Sequence, residues 1–276
     1  MQSIRTGTVP RVSHAHTATV TRVLEVTFIG GPTALLEYGG LRWLTDPTLS
    51  PPGEYSGGLV KTTGPALAPE QVEPIDVVLL SHDHHSDNLD PGGRALLSHA
   101  RDVLTTVEGA GRLGGAATGL EPWSSVEIPG PDGAPVTVTA LPALHGPKGS
   151  EQVTGPVIGF SLSGADLASV YVSGDNASLD VVREIAERSG PFDVAILFAG
   201  AVQLPNRFGG AYLTLSSDLA AQAAIILGAP TAIALHFEGW THFTQGADQL
   251  RAAFAGQGVA DRLTVPERGV TISVAE

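Results

Sequence analysis

Three histidines and three aspartates fall within the nine residues 82–90 (HDHHSDNLD), directly after the apolar run IDVVLL at 75–80. A continuous apolar run of that length suits a strand buried on both faces. Ionisable groups delivered to the end of such a strand must be satisfied by a metal, by one another or by solvent, because an unpaired polar group beside a core is costly. A polar surface loop would account for this cluster taken alone. The rest of the chain repeats the arrangement, however. His145 follows APVTVTALPAL, Asp175 follows ASVYVSG and His236 follows TAIAL, so each apolar strand delivers one ligand-type residue at its C-terminal end. If those strands share a layer, the residues converge at one edge, and a metal is the simplest reason for convergence. Imidazole mixed with carboxylate suits Zn²⁺ first, with Mn²⁺ or Fe as alternatives.

The surrounding pattern is one of short strands followed by alternating helices and strands. VLEVTFIGG, TALLEYGG and LRWLTDP are apolar runs separated by glycine pairs, as in a β-meander. Residues 50–73 read as a proline-containing loop that covers a site. RDVLTTV, VEIP, PVIGFSL, FDVAILFAG and RGVTISV read as further strands, while PGGRALLSHA, SLDVVREIAERSG, SSDLAAQAAIILG and QGADQLRAAFAG read as helices. This order predicts an α/β fold of the α+β type, two packed sheets with helices outside in an αββα sandwich. A single domain is expected over residues 22–276. A polar, threonine-rich arm is expected over 1–21, with His14 and His16 solvated.

Composition narrows the function. Thirty-four glycines and twenty prolines fit many tight turns, and a net charge of −13 argues against nucleic acid as a partner. The chain has no cysteine, which removes disulfides, thiolate nucleophiles and cysteine metal sites. There is no apolar h-region at the N-terminus and no run long enough to span a membrane, so a cytoplasmic enzyme acting on a small molecule is expected, with homo-oligomerisation left open. No GxSxG elbow is present, which disfavours a serine hydrolase, and Gly30-Gly31 opens no dinucleotide fingerprint.

Five segments, VTFIGGPTALLEYGGLRWLTDP, LLSHDHHSDNLDPGGR, LPALHG, YVSGDN and LHFEGWTHF, together resemble the metallo-β-lactamase superfamily. They are similar to its branch of ascorbate-6-phosphate lactonase-like and N-acyl-phosphatidylethanolamine phospholipase D-like enzymes. The resemblance runs from about residue 26 to residue 243 and implies the αββα sandwich with one or two metals at the sheet edge. The family cluster is His-x-His-x-Asp-His, and this chain departs from it. One inserted residue after His82 reconciles the two, so that His82 keeps its position and His85 and Asp87 take the later ones. His84 stays a candidate ligand. Asn88 then replaces the last cluster histidine, so the second metal is expected to be weaker or to be a harder ion such as Mn²⁺.

By the same resemblance, His145 completes the first site, Asp175 bridges two metals, and His236 binds the second with Asp87. Metal-bound water is the expected nucleophile toward an ester, lactone, amide or phosphodiester. Asp175 or Asp83 is expected to steer its proton. His242, six residues past His236, is expected either to serve as general acid or to sit as a polar residue packed beside Trp240. Asp46 is expected either to orient a ligand histidine or simply to sit in a turn before Pro47, and Asn206 and Arg207 to contact an anionic substrate group. A regulatory metal-binding protein and a di-iron redox protein of the same fold are the rival readings.

Overall fold

The computed structural model describes residues 23–204 and 207–274. The expectations for residues 1–21, and for Asn206, lie outside them. Sixteen strands follow in chain order: β1 Leu24–Gly30, β2 Thr33–Tyr38, β3 Leu41–Thr45, β4 Gly53–Tyr55, β5 Leu59–Lys61, β6 Ile75–Leu79, β7 Ala100–Thr106, β8 Ala117–Leu120, β9 Ser125–Pro129, β10 Pro135–Pro142, β11 Ile158–Ser163, β12 Val170–Val172, β13 Val194–Phe198, β14 Thr231–Leu235, β15 Leu263–Thr264 and β16 Thr271–Val274. One seven-stranded sheet has the order β16-β1-β2-β3-β6-β7-β8, and a second has the order β15-β14-β13-β12-β11-β10-β9. The two face each other across a shared core.

Alternation along β6 explains why its residues are apolar on both sides. Val77 and Leu79 join the main core with Phe160, Leu162 and Leu197, whereas Val78 and Leu80 join a smaller cluster with Leu49, Val72 and Leu96. On the second sheet, the helix Leu179–Ser189 buries Val182 and Ile185, and Ser178 caps it by accepting from the Val181 N–H. The helix Ser217–Ile226 buries four alanines, which lets it approach the sheet closely, and the helix Ala247–Gly256 buries Leu250 and Phe254. Among the described residues, no helix is long and apolar enough to cross a membrane.

Strand direction sets where the chemistry goes. β3 and β6 are parallel neighbours, as are β12, β13 and β14; β10 is antiparallel to β11, which is antiparallel to β12, so β10 and β12 run the same way. The C-terminal ends of β3, β6, β10, β12 and β14 therefore reach a common edge. The sheets are tied there by two backbone bonds, Ile158 N–H to the Ser81 carbonyl and His236 N–H to the Gly31 carbonyl.

Two regions differ from the sequence expectation. Residues 50–73 contain the hairpin β4–β5, whose register pairs Gly53 with Lys61 and Tyr55 with Leu59. The glycine-rich stretch after β7 forms the helix Val107–Leu113 and leads into β8. Poor intrinsic propensity hid that helix; the Thr106 side chain caps it by accepting from the Gly109 N–H.

Candidate metal centre

At the shared edge, six side chains form two groups: His82, His85 and His145, and Asp87, Asp175 and His236, each with donor atoms within 4.8 Å of one another. All are buried except His85, which is partly so. The His82 Nε2 and His85 Nδ1 atoms stand 2.9 Å apart. Tetrahedral coordination at Zn–N distances of about 2.0–2.1 Å places ligand nitrogens roughly 3.3 Å apart, so this spacing is close to what a shared ion requires. His145 donates through Nδ1 to the Leu213 carbonyl at 2.7 Å, which leaves Nε2 as a lone pair facing the centre. Its Nε2 lies 3.6 Å from Asp175 Oδ2, while His236 Nδ1 lies 3.4 Å from Asp175 Oδ1. One carboxylate thus faces both groups, an oxygen toward each.

The donor sets fit cations. Both ring nitrogens of His236 are fully buried and have no hydrogen-bond partner, which is costly for a neutral imidazole; an ion bound at one of them would satisfy that nitrogen. His236 also has φ of +58°, a strained backbone for a non-glycine residue and one often found at functional sites. Burial is the largest single influence on His82, His85, Asp87 and His236. It holds His82 well below the ordinary imidazole range, with His85 and His145 adding, and it depresses His85 in the same direction. Neutral imidazoles are the form that binds metal. Burial also works on His236 and Asp87, but it is outweighed there. Asp175 and Asp87 raise His236, and His242 and His236 hold Asp87 well below the usual carboxylate range.

Behind the donors lies a hydrogen-bonded layer. Asp46 accepts from the Ser81 N–H at 2.6 Å and from Ser81 Oγ at 2.5 Å, and Ser81 Oγ stands 2.9 Å from His82 Nδ1. The Asn88 amide donates to Asp46 at 2.9 Å and to Asp175 at 3.2 Å. Burial pushes Asp46 up to about 7, opposed by the bonds from Ser81 and Asn88. Asp46 is therefore placed to orient a histidine, by way of Ser81.

Other expected residues stand elsewhere. His84 belongs to neither group; its ring packs on Gly155 at the cavity wall, with Nδ1 3.6 Å from Asp83 Oδ1. Asp83 is turned away into a bidentate pair with Arg112, at 2.5 and 3.0 Å, and lies 4.0 Å from Arg94, so it has no free oxygen to steer a proton at the donors. Those two arginines carried no sequence signal, since nothing in their spacing pointed at the cluster. Asp90 accepts from the N–H groups of Leu49, Ser50 and Gly93 and from Lys61, a loop anchor and helix cap. His242 does reach the centre, with Nε2 2.8 Å from Asp87 Oδ2.

A cavity of about 510 Å³ opens over His85, His145, Asp87 and His242. Its walls are largely apolar, from Leu59 on the β4–β5 hairpin, Val153, Val202, Leu204 and Leu213, with Arg207 at the side. The proline-containing segment therefore lines the site, as the sequence suggested.

Residues 42–237 match the family model described as a beta-lactamase superfamily domain. A UPF0173 metal-dependent hydrolase of Methanosphaerula palustris is 31% identical over 201 residues, covering 70% of this chain and 83% of the relative. N-acyl-phosphatidylethanolamine-hydrolyzing phospholipase D 1 of Caenorhabditis elegans is 25% identical, covering 82% of this chain and 66% of that protein. The crystal structure of isothiocyanate hydrolase from Delia radicum gut bacteria is similar in fold, with a TM-score of 0.77 at 19% identity, covering 91% of this chain and 99% of that one.

Proposed function

Because the chain belongs to the metallo-β-lactamase superfamily and is a metal-dependent hydrolase of that fold, we propose that it uses two divalent cations to hydrolyse an acyl or phosphoryl bond in a small molecule. The observation that carries the reading is the pair of buried donor groups beneath one cavity, with Asp175 facing both. His82, His85 and His145 would hold the first ion, and Asp87 and His236 the second, with Asp175 between them. Such ions supply a hydroxide nucleophile near neutral pH and stabilise a developing oxyanion.

The protein's own groups do the rest. The His145 bond to the Leu213 carbonyl fixes its tautomer, and Asp46 fixes that of His82 through Ser81. Asp175 is the carboxylate positioned to orient a nucleophilic water and take its proton. The apolar walls exclude bulk water and favour a substrate with an apolar body, and Arg207 favours one carrying a negative charge. Esters, lactones, amides and phosphodiesters all suit this machinery.

The test is elemental analysis of the wild type, Asp87→Ala and His236→Ala, followed by turnover on aryl esters, lactones and phosphodiesters. Two metals per chain, falling to one in each variant, with metal-dependent hydrolysis of at least one class, is the expected result. No bound metal after reconstitution with Zn²⁺, Mn²⁺ and Fe²⁺ would overturn the reading. A di-iron redox protein would instead retain iron and show a reducible optical spectrum without hydrolysis.

A further inference from the structure

Two imidazoles approach the same oxygen of Asp87. His242 Nε2 lies 2.8 Å from Asp87 Oδ2, and His236 Nε2 lies 3.5 Å from that atom. The two rings do not divide between the two carboxylate oxygens, so an ion seated at Oδ2 lies within reach of both. The group Asp87, Asp175 and His236 supplies three donors, two of them carboxylates. Cations of this class take four ligands or more. Among the described residues, His242 is the next imidazole on the same loop, and the nitrogen it turns toward Asp87 is Nε2.

The ring is also held in place. It packs against Phe243 with ring centroids 4.7 Å apart, and its side chain is only 12% exposed. The preceding residue, Thr241, donates its N–H to the Val60 carbonyl of β5 at 3.0 Å, and Trp240 bridges to Lys61. The hairpin that walls the cavity therefore pins the loop that carries His242.

Resting on the reading that Asp87, Asp175 and His236 hold a cation, we propose that His242 is a fourth protein ligand of that second ion. The second site is then built from two carboxylates and two imidazoles, and the first from three imidazoles and the shared Asp175. The second ion also becomes coupled to the β4–β5 wall.

The experiment titrates Co²⁺ into the metal-free full-length protein, as wild type, His242→Ala and His242→Gln. Stoichiometry, affinity by chelator competition and the visible Co²⁺ spectrum are read together. Glutamine retains an N–H donor for Asp87 but no imidazole nitrogen, so it separates a ligand from a residue that only orients Asp87. Both variants are expected to keep the first equivalent unchanged. The second is expected to weaken by more than the roughly 10- to 100-fold that loss of an orienting partner costs, with an altered spectrum. Two equivalents of wild-type affinity and spectrum in His242→Gln would overturn the assignment while leaving the two-ion reading intact. A wild type that takes up no Co²⁺ would instead overturn the reading beneath it. Melting curves of the metal-free variants establish that each is folded.

Discussion

Asp46 and Ser81, 35 residues apart in sequence, are joined twice at the ends of β3 and β6: the carboxylate takes both the Ser81 N–H and its Oγ–H. With its own hydrogen directed at Asp46, Ser81 Oγ is left to accept from His82 Nδ1–H, which frees the His82 Nε2 lone pair for a cation. Asp46→Asn reverses the preference. The new amide can donate to Ser81 Oγ, whose hydrogen then turns to His82 Nδ1 and favours protonation of Nε2. We expect the first cation to bind about 10- to 100-fold more weakly in this variant, measured by chelator competition. Unchanged affinity would show that the tautomer is set by other contacts.

Asp83 tests the opposite case, a cluster carboxylate with a structural role. Its oxygens are committed to Arg112, although that guanidinium is about half exposed and its attraction is screened by solvent. Asp83→Asn is expected to lower stability by about 1–3 kcal/mol in denaturant unfolding. Metal content and turnover per bound metal should remain at wild-type levels. A loss of turnover without loss of stability would return Asp83 to the chemistry.

Gly200 follows β13 where the chain passes close to the second donor group. A Cβ built there would meet the His236 carbonyl oxygen at 2.2 Å and the Phe243 ring at 3.0 Å. Gly200→Ala must therefore push the backbone that carries His236, and with it the neighbouring aromatic contact. We expect the second metal equivalent to weaken while the first, held by residues on other strands, persists. Elemental analysis after dialysis against a weak chelator distinguishes the two, and equal loss of both would refute the local mechanism.

The cation-free protein should lose stability on mild acidification. His82 and His85 are depressed in the folded state by burial, so below the ordinary imidazole value the unfolded chain binds protons that the folded one does not. Stability then falls as pH drops below about 6.5. His236 is raised by Asp175 and Asp87 and works in the other direction, its contribution being lost as pH rises through its folded value. Below about pH 6.5 His236 is protonated in both states and adds nothing further, while Asp46, raised to about 7, takes up its proton in the folded state and opposes the decline. The three depressed imidazoles His82, His84 and His85 outnumber that one carboxylate. Thermal melts in excess chelator from about pH 8 to about pH 5 should show the decline. A melting temperature that stays level across that range would show that these rings protonate in place.

Most of the fold was legible because periodicity reports burial directly. IDVVLL is apolar at every position but Asp76 since β6 faces the core on one side and a satellite cluster on the other. SLDVVREIAERSG repeats at helical spacing because Val182 and Ile185 are buried along it, with Leu179, Val181 and Ala186 packed against the same core. The helix Val107–Leu113 was missed because its stability comes from a side-chain cap and tertiary packing rather than from propensity. The hairpin β4–β5 was hidden by flanking prolines and glycines whose local signal is that of a loop.

The same division holds at the centre. That histidine and aspartate arrive at the ends of apolar strands is written in the one-dimensional pattern, since strand length and residue type are local properties. Which of His82, His84 and His85 turn inward is not, because adjacent residues in an irregular turn follow no period. Their directions depend on what each ring packs against. For His84 that is Gly155, and for His82 it is the Ser81–Asp46 pair. Asp83 and Asp87 are chemically alike in the sequence, yet one is drawn to Arg112 and the other meets His236 and His242. Arg112 reaches Asp83 from the helix that follows β7 in the same sheet, whereas His236 and His242 follow β14 of the other sheet, and only the packing of the two sheets brings them to Asp87.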